Sequence, residues 1–388
     1  MKTSMLGRMA VPIGALAAVF LCAVATSPVL AAEGKPNVVL ILADNVGYGD
    51  LGPYGGGDLR GAPTPRIDGL AREGLRLTQF LVEPGCTPSR AALMTGQYSI
   101  RNGLSLVIVP GSESTLSKGA VTMGELFKGA GYATAIFGEW HLGAKPQSLP
   151  TAHGFDEFYG IPPDISWDSA TYVDTIELTH SINAPPGVLL AKGPQIVEAV
   201  AGGPLRTVKP YTREVRAEID NELVAKSIDF MKRKPAAGKS FFLYLPFSMG
   251  HFPNLPSHQF KGKSRIGQYG DKLMEGDHHV GQILDTLKQL GVDDDTLVVF
   301  ASDNGPQGET AREIGQPGNA GHGQLRSFSR RAGRSHRGSD QDLLLYPLAG
   351  QGQGGYQLIR DVLDHGFLPD LRPPHRRHDA GRPADRWS

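Results

Sequence analysis

The side chains best equipped for chemistry in this sequence are Asp44, Cys86, Arg90, His141, His251 and Asp303, with Asn45 and Asn304 beside the two aspartates. Carboxylates and amide oxygens suit a hard cation, imidazoles move protons, and a thiol is a nucleophile or its precursor. Cys86 lies in EPGCTPSRAALMTGQY, residues 83–98. A lone cysteine is most often a small buried apolar residue and otherwise a reactive thiol. Its neighbours favour a chemical role. Pro88 suits the first turn of a helix, so Cys86 sits where unpaired N–H groups and the helix dipole attract anions. Arg90 adds a permanent cation, and together they make a place to hold an oxyanion.

These residues are far apart in sequence, so regular elements must bring them together. Asn37–Ala43 is a continuous apolar run ending at Asp44, as expected of a buried strand. Strands are also expected over Leu75–Val82, over Tyr132–Phe137 before Gly138-Glu139-Trp140-His141, over Ser240–Phe247 before His251, and over Thr296–Ala301 before Asp303-Asn304-Gly305. Helical patterns fall between them: Pro65–Gly74, a helix starting just after Cys86 and running through Ala91–Thr95, Val121–Gly131, Arg216–Lys234 and Gln268–Leu290. This alternation predicts an α/β sandwich with a large, mainly parallel sheet between helices. Asp44, His141, His251 and Asp303 each follow a strand, and open α/β sheets bind ligands beyond the carboxyl ends of strands. Any one of them alone would read as a loop residue or cap; four such placements, with Cys86 at a helix start, predict one convergent site. His278 and His279 fall in a helix and match no motif, so they are expected to be surface or core residues.

Composition narrows the function. The 39 Lys and Arg balance 39 Asp and Glu, which argues against a nucleic-acid partner, and the 50 glycines point to a loop-rich fold. Residues 1–32 read as a signal peptide: Lys2 and Arg8 precede an apolar run from Val11 to Thr26, and Val29-Leu30-Ala31 or Ala32 offers a cleavage site. An uncleaved membrane anchor is the rival reading, but the run is short for a span. The protein is therefore expected to be exported, periplasmic or secreted, with no stable membrane anchor. Cys22 would leave with the signal, so Cys86 has no intrachain partner.

Cys-Thr-Pro-Ser-Arg followed by Ala-Ala-Leu-Met-Thr-Gly resembles the signature of the type I sulfatases, the formylglycine-dependent branch of the alkaline-phosphatase superfamily. Ile-Leu-Ala-Asp-Asn-Val-Gly-Tyr-Gly-Asp at 41–50, Ala-Pro-Thr-Pro-Arg-Ile-Asp-Gly-Leu-Ala-Arg-Glu-Gly at 62–74, Gly-Glu-Trp-His-Leu-Gly at 138–143, Gly-His-Phe-Pro at 250–253 and Ser-Asp-Asn-Gly at 302–305 follow in the family's order. The resemblance runs from about residue 36 to about 320 and implies an alkaline-phosphatase-like fold and arylsulfatase-type hydrolysis of a small-molecule sulfate ester. It implies that a formylglycine-generating enzyme oxidises Cys86 to formylglycine (3-oxoalanine). One hydroxyl of the hydrated aldehyde attacks sulfur and expels the alcohol; the second then expels sulfate. It further implies that Asp44, Asn45, Asp303 and Asn304, with the modified Cys86, hold Ca²⁺, with Mg²⁺ as the alternative. By the same resemblance Arg90 stabilises the hydrated aldehyde, His141 takes a proton from it, and His251 binds sulfate and protonates the leaving group. A phosphonate monoester or phosphodiester hydrolase of the same superfamily is the alternative enzyme, and an inactive truncated product is the alternative of another class.

Three positions depart from the family pattern. Asn45 stands where the family often has a second aspartate. Glu139 stands where it often has a lysine that bridges sulfate and aldehyde; either Glu139 turns away or another cation compensates, with Lys145 as one candidate. No lysine follows Lys288, where the family usually has another sulfate-binding lysine. Residues 33–320 are thus expected to form the catalytic domain. Residues 321–388 contain 11 Arg, no Lys and no Glu. They read as an out-of-frame, poorly ordered tail in place of the small C-terminal subdomain, or else as a basic disordered tail that binds an anionic surface. The segment 161–210, with Trp167 and Tyr172, is expected to be a substrate-facing insertion.

Overall fold

The structure is a computed structural model, and it describes residues 35–109, 112–163, 194–306 and the short strand Leu344–Tyr346. The strands are β1 (Asn37–Ala43), β2 (Leu75–Arg76), β3 (Ala133–Glu139), β4 (Glu157–Ile161), β5 (Gln195–Val200), β6 (Arg206–Pro210), β7 (Phe241–Pro246), β8 (Thr296–Ser302) and β9 (Leu344–Tyr346). The helices are α1 (Pro65–Glu73), α2 (Cys86–Thr95), α3 (Ser99–Asn102), α4 (Met123–Gly129), α5 (Arg213–Ala236) and α6 (Gln268–Leu290). The sheet order is β2-β9-β8-β1-β7-β3-β4-β5-β6. The five central strands, β8-β1-β7-β3-β4, run parallel, and pairing at both ends is antiparallel.

Alternation along β1 explains the layers. Val39, Ile41 and Ala43 point to one face, where they join Ile67 and Leu70 of α1, Ile219 and Leu223 of α5, and Val280 and Ile283 of α6. Val38, Leu40 and Leu42 point to the other face, with Ala91 and Met94 of α2, Phe127 of α4, and Trp140 and Phe155. A strand buried on both faces must be apolar throughout, which is why this one reads as an unbroken run. The expected sandwich with its mainly parallel sheet is present.

Several boundaries differ from the sequence expectation. The strand expected over Leu75–Val82 shrinks to Leu75–Arg76, because it lies at the sheet edge with one neighbour, β9, and is not fully buried. Helix α4 begins at Met123 because Thr122 and Glu125 form a reciprocal capping box. Helix α5 begins three residues early because the Thr212 side chain accepts from the Val215 N–H. The expected insertion 161–210 is partly sheet: β5 and β6 form an antiparallel pair beside β4. Trp167 and Tyr172 lie outside the described residues, as do the signal segment 1–32 and, apart from β9, the tail 321–388. Within that tail Leu344–Tyr346 pairs with β8 and β2.

His278 is exposed, whereas His279 is core. The His279 ring packs on Phe247, and its Nε2–H donates to Asn221 Oδ1 at 3.0 Å. Burial pushes its pKa down to about 4. The unfolded chain takes up this proton near pH 6.5, so it binds more protons than the folded chain between pH 6.5 and 4. Stability contributed by the neutral ring is therefore present above about pH 6.5 and is lost as pH falls toward 4, by about 3 kcal/mol. His279→Gln should flatten this part of the pH dependence. Melting curves of both proteins from pH 4 to 7 test it, and parallel curves would refute the assignment.

Candidate active site

The candidate residues converge at the carboxyl end of the parallel strands. Asp44 follows β1, Glu139 ends β3 with His141 just beyond, His251 follows β7 and Asp303 follows β8. The loops extend the ladder: Phe247 N–H donates to Leu42 C=O at 2.8 Å, Asp44 N–H to Met249 C=O at 3.0 Å and Asp303 N–H to Ala43 C=O at 3.1 Å. Among the described non-glycine residues, the two with positive φ are Asn45 (58°) and His141 (56°). The left-handed conformation costs free energy and concentrates where a side chain must be aimed; asparagine and histidine tolerate it better than most residues. Gly250 also has positive φ, and a Cβ there would lie 2.5 Å from the Asp44 carbonyl oxygen, so only glycine lets the His251 loop pass this close.

Cys86 opens helix α2 and is buried. Its Sγ lies 3.6 Å from Asp44 Oδ1 and 3.8 Å from Asn45 Oδ1. Asp44, Cys86 and His251 each offer a ligand atom, and these atoms lie within 4.8 Å of one another. His251 Nδ1 faces its neighbour's carbonyl, Phe252 O, at 2.6 Å, so that nitrogen carries the hydrogen and Nε2 faces Asp44 Oδ1 at 3.9 Å. His141 Nε2 donates to Ile108 C=O at 2.9 Å, while Ile108 N–H donates to Thr87 Oγ1 at 3.0 Å, so one loop residue links helix α2 to the His141 ring.

Arg90 is the hub. One of its terminal nitrogens, Nη2, lies 2.6 Å from Asp44, 2.6 Å from Glu139 and 2.9 Å from Asp303; Nη1 donates to the Glu139 carbonyl at 3.0 Å and Nε to Asp303 at 3.2 Å. Arg90 and the three carboxylates are fully buried. Glu139 therefore does not turn away. It points into the site, pairs with Arg90 and lies 3.3 Å from His141 Nδ1. The compensating cation is Arg90 and not Lys145, which is partly exposed and pairs with Glu113.

The electrostatics follow from this crowding. Burial raises the Asp44 carboxyl well above the usual range, and Asp303 and Glu139 push the same way against Arg90. Burial and Glu139 also raise Asp303, against the pull of Arg90. Burial works against the Glu139 charge too, but Arg90 and His141 outweigh it and hold that carboxyl well below its usual range.

The site fits a divalent cation. Three buried carboxylates face one guanidinium, which leaves two negative charges uncompensated if all are ionised. Asn304 Oδ1 is buried and accepts no hydrogen bond, although Asn304 Nδ2 donates to Asn45 Oδ1 and to the Gly305 carbonyl. A buried amide oxygen left without a donor is costly unless something positive meets it. Asp44, Asp303, Asn45 and Asn304 are the oxygen ligands the structure offers. Sequence reasoning located every one of these residues but left the direction of Glu139 open, because strand alternation does not say what a residue meets beyond the strand end.

The comparisons agree with this architecture. The profile of the sulfatase family matches residues 36–330. The chain is 39% identical over 283 residues to arylsulfatase A of Bos taurus, covering 72% of this chain and 54% of that protein. It is 34% identical over 290 residues to N-acetylgalactosamine-6-sulfatase of Canis lupus familiaris, covering 71% and 51%. The solved structure of the PsFucS1 sulfatase from Pseudoalteromonas sp. superposes with a TM-score of 0.66 at 33% identity, over 82% of this chain and 63% of that one. The chain thus spans about half the length of the curated relatives it matches. With the signature helix, the strand-end carboxylates and the alkaline-phosphatase-like sheet in one arrangement, the chain belongs to the sulfatase family, as a type I sulfatase.

Proposed function

We propose that this protein hydrolyses sulfate esters of the arylsulfatase type, with Cys86 matured to formylglycine by a partner enzyme. The observation that carries the reading is the position of Cys86: at the start of a buried helix, against Asp44 and Asn45, one helical turn before an arginine that binds three carboxylates. Formylglycine supplies a hydrated aldehyde, with one hydroxyl for attack at sulfur and a second for release of sulfate. A divalent cation, Ca²⁺ on the all-oxygen ligand set, supplies charge to neutralise sulfate oxygens. Arg90 orients Asp44 and Asp303 and stabilises negative charge beside the nucleophile. His251, with Nδ1–H committed to a carbonyl, presents Nε2; as the imidazolium, with a second hydrogen on Nε2, it binds sulfate and gives that hydrogen to the departing alcohol. His141, held between Ile108 and Glu139, receives the proton released by the nucleophile.

Export is part of this reading. The basic start and apolar run of residues 1–32 support it, and no helix among the described residues is long and apolar enough to cross a membrane.

Mass spectrometry of the peptide containing Cys86, from protein coexpressed with a maturation enzyme, should show loss of H₂S and gain of oxygen. Converted protein should hydrolyse 4-nitrophenyl sulfate in preference to a phosphate diester. Cys86→Ala should lower that turnover by about 10³-fold or more, as expected for loss of a nucleophile, with little change in melting temperature. An unmodified thiol in active protein would overturn the mechanism, and faster turnover of the diester would overturn the substrate class.

A further inference from the structure

The loop from Phe247 to Ser257 carries His251 without any regular element of its own, and buried charges on two helices hold it. Arg216 and Asp220 lie one turn apart on α5 and are 2% and 1% exposed. The Asp220 carboxylate accepts from Ser248 N–H at 3.0 Å and Ser248 Oγ at 2.7 Å. Arg216 Nη2 donates to the carbonyls of His251 at 3.2 Å and Phe252 at 2.8 Å. The Phe252 carbonyl is the same one that faces His251 Nδ1 at 2.6 Å. Arg216 thus fixes the acceptor that sets which ring nitrogen of His251 carries the hydrogen.

The second helix anchors the first. Lys272 of α6, 2% exposed, lies 2.8 Å from Asp220 and 3.0 Å from Glu275. Glu275 in turn accepts from Ser257 N–H at 3.3 Å, at the far end of the loop. Between them, Met249 packs against Gly276, where a Cβ would lie 2.2 Å from its sulfur. Buried ion pairs are often no more stabilising than apolar side chains of the same size, so stability alone gives no reason for four charged groups at this helix interface. Three of the four bond directly to one loop, Arg216 and Glu275 to its backbone and Asp220 to Ser248, and Lys272 braces two of these.

We infer that Arg216 and Asp220 are positioning residues for His251: Asp220, braced by Lys272, fixes the loop at Ser248, and Arg216 fixes the Phe252 carbonyl so that Nε2 of the ring faces Asp44 and Cys86. The inference rests on the sulfate-ester reading, in which His251 binds sulfate and protonates the leaving group. A residue that acts through a general acid matters most when the leaving group is poor, whereas a residue that only supports the fold affects all substrates alike.

The experiment compares wild type, Arg216→Met, His251→Ala and the double variant, all with converted Cys86. It uses 4-nitrophenyl sulfate (good leaving group) and phenyl sulfate (poor leaving group), with melting temperatures alongside. Arg216→Met should lose roughly 10²-fold in kcat with phenyl sulfate and about ten-fold less than that with 4-nitrophenyl sulfate, in the pattern of His251→Ala. The double variant should be no worse than His251→Ala, because both changes remove one function. Arg216→Lys, which keeps the charge, should recover part of the loss and replaces Arg216→Met if the latter does not fold. Calorimetric titration with inorganic sulfate gives a readout without turnover, and the two single variants should weaken binding alike. Equal losses on both substrates, or losses that multiply in the double variant, would overturn the positioning role and leave the hydrolase reading standing. A converted wild type that neither binds sulfate nor turns over either ester would overturn that reading and the inference with it.

Discussion

Arg90→Ala should lower stability by about 3–5 kcal/mol at neutral pH, the usual cost of removing one partner from a buried ion pair. Arg90 meets Asp44, Glu139 and Asp303 at once, and without it three carboxylates are left in a water-poor pocket with no guanidinium between them. For a domain with a total stability of roughly 5–15 kcal/mol, that is a large fraction, and the melting temperature should fall on the order of 10 °C. The pH dependence has a definite sign. The folded-state pKa values of Asp44 and Asp303 already stand above their unfolded value, and loss of Arg90 raises them further. A raised folded pKa favours the folded state below the unfolded pKa and loses that contribution as pH rises through the folded one. The deficit of the variant should therefore be smallest near pH 4–5 and grow toward pH 8. Millimolar Ca²⁺ should narrow it by meeting the same carboxylates. Melting curves across that range, in chelator and in Ca²⁺, check both trends; a variant that melts with wild type at pH 8 in chelator would show that the hub is not a source of stability. Turnover should fall by roughly 10²–10³-fold even where the variant is folded, the usual loss when a charge-stabilising donor is removed.

The second large effect is expected at Glu139. The family often has lysine there, so Glu139→Lys looks like a restoration. The structure argues the opposite. Glu139 Oε2 lies 2.6 Å from Arg90, and its Oε1 lies 3.3 Å from His141. A lysine in the same buried space would set an ammonium against a guanidinium and remove the carboxylate that faces His141. Glu139→Lys alone should destabilise by about 3–5 kcal/mol. Asn45→Asp adds a carboxylate beside Cys86, where Asn45 Oδ1 now lies 3.8 Å from Sγ. The pair Asn45→Asp with Glu139→Lys should therefore recover about 1–3 kcal/mol relative to the sum of the single changes. A double-mutant cycle by denaturant unfolding measures that coupling. The two departures from the family pattern would then be one exchange: asparagine gives up a carboxylate at the cation ligands, and glutamate returns one across Arg90. If Glu139→Lys alone is as stable as wild type, Glu139 is not part of the charge balance.

Much of this site was legible in the sequence for a simple physical reason. A strand buried on both faces must be apolar, so β1, β3, β7 and β8 stand out as runs, and the chemically active residues come within a few positions of the end of each run. Asp44, His141, His251 and Asp303 could therefore be placed at one end of one sheet before any coordinates. Cys86 and Arg90 were legible because Pro88 and the start of an apolar helix gave their element and its polarity. The edges were harder. β9 is too short for a periodic signal and β6 is largely exposed, so neither alternation nor an apolar run marks them, while the pattern over Leu75–Val82 marked β2 but overstated its length.

What the sequence determined by itself was the family, the sheet with its ligand-bearing end, and the identity of the residues that gather there, because these depend on local pattern and residue type. Only the tertiary structure decided what those residues meet. That Glu139 turns inward to Arg90, that His251 is held through Phe252 by Arg216, and that His279 is core while its neighbour His278 is exposed all depend on contacts between segments from 35 to 58 residues apart, or on which face of a helix meets the sheet. A charge in a linear sequence carries no record of its counterion. In a buried site the counterion decides whether the charge survives, and that is settled by packing.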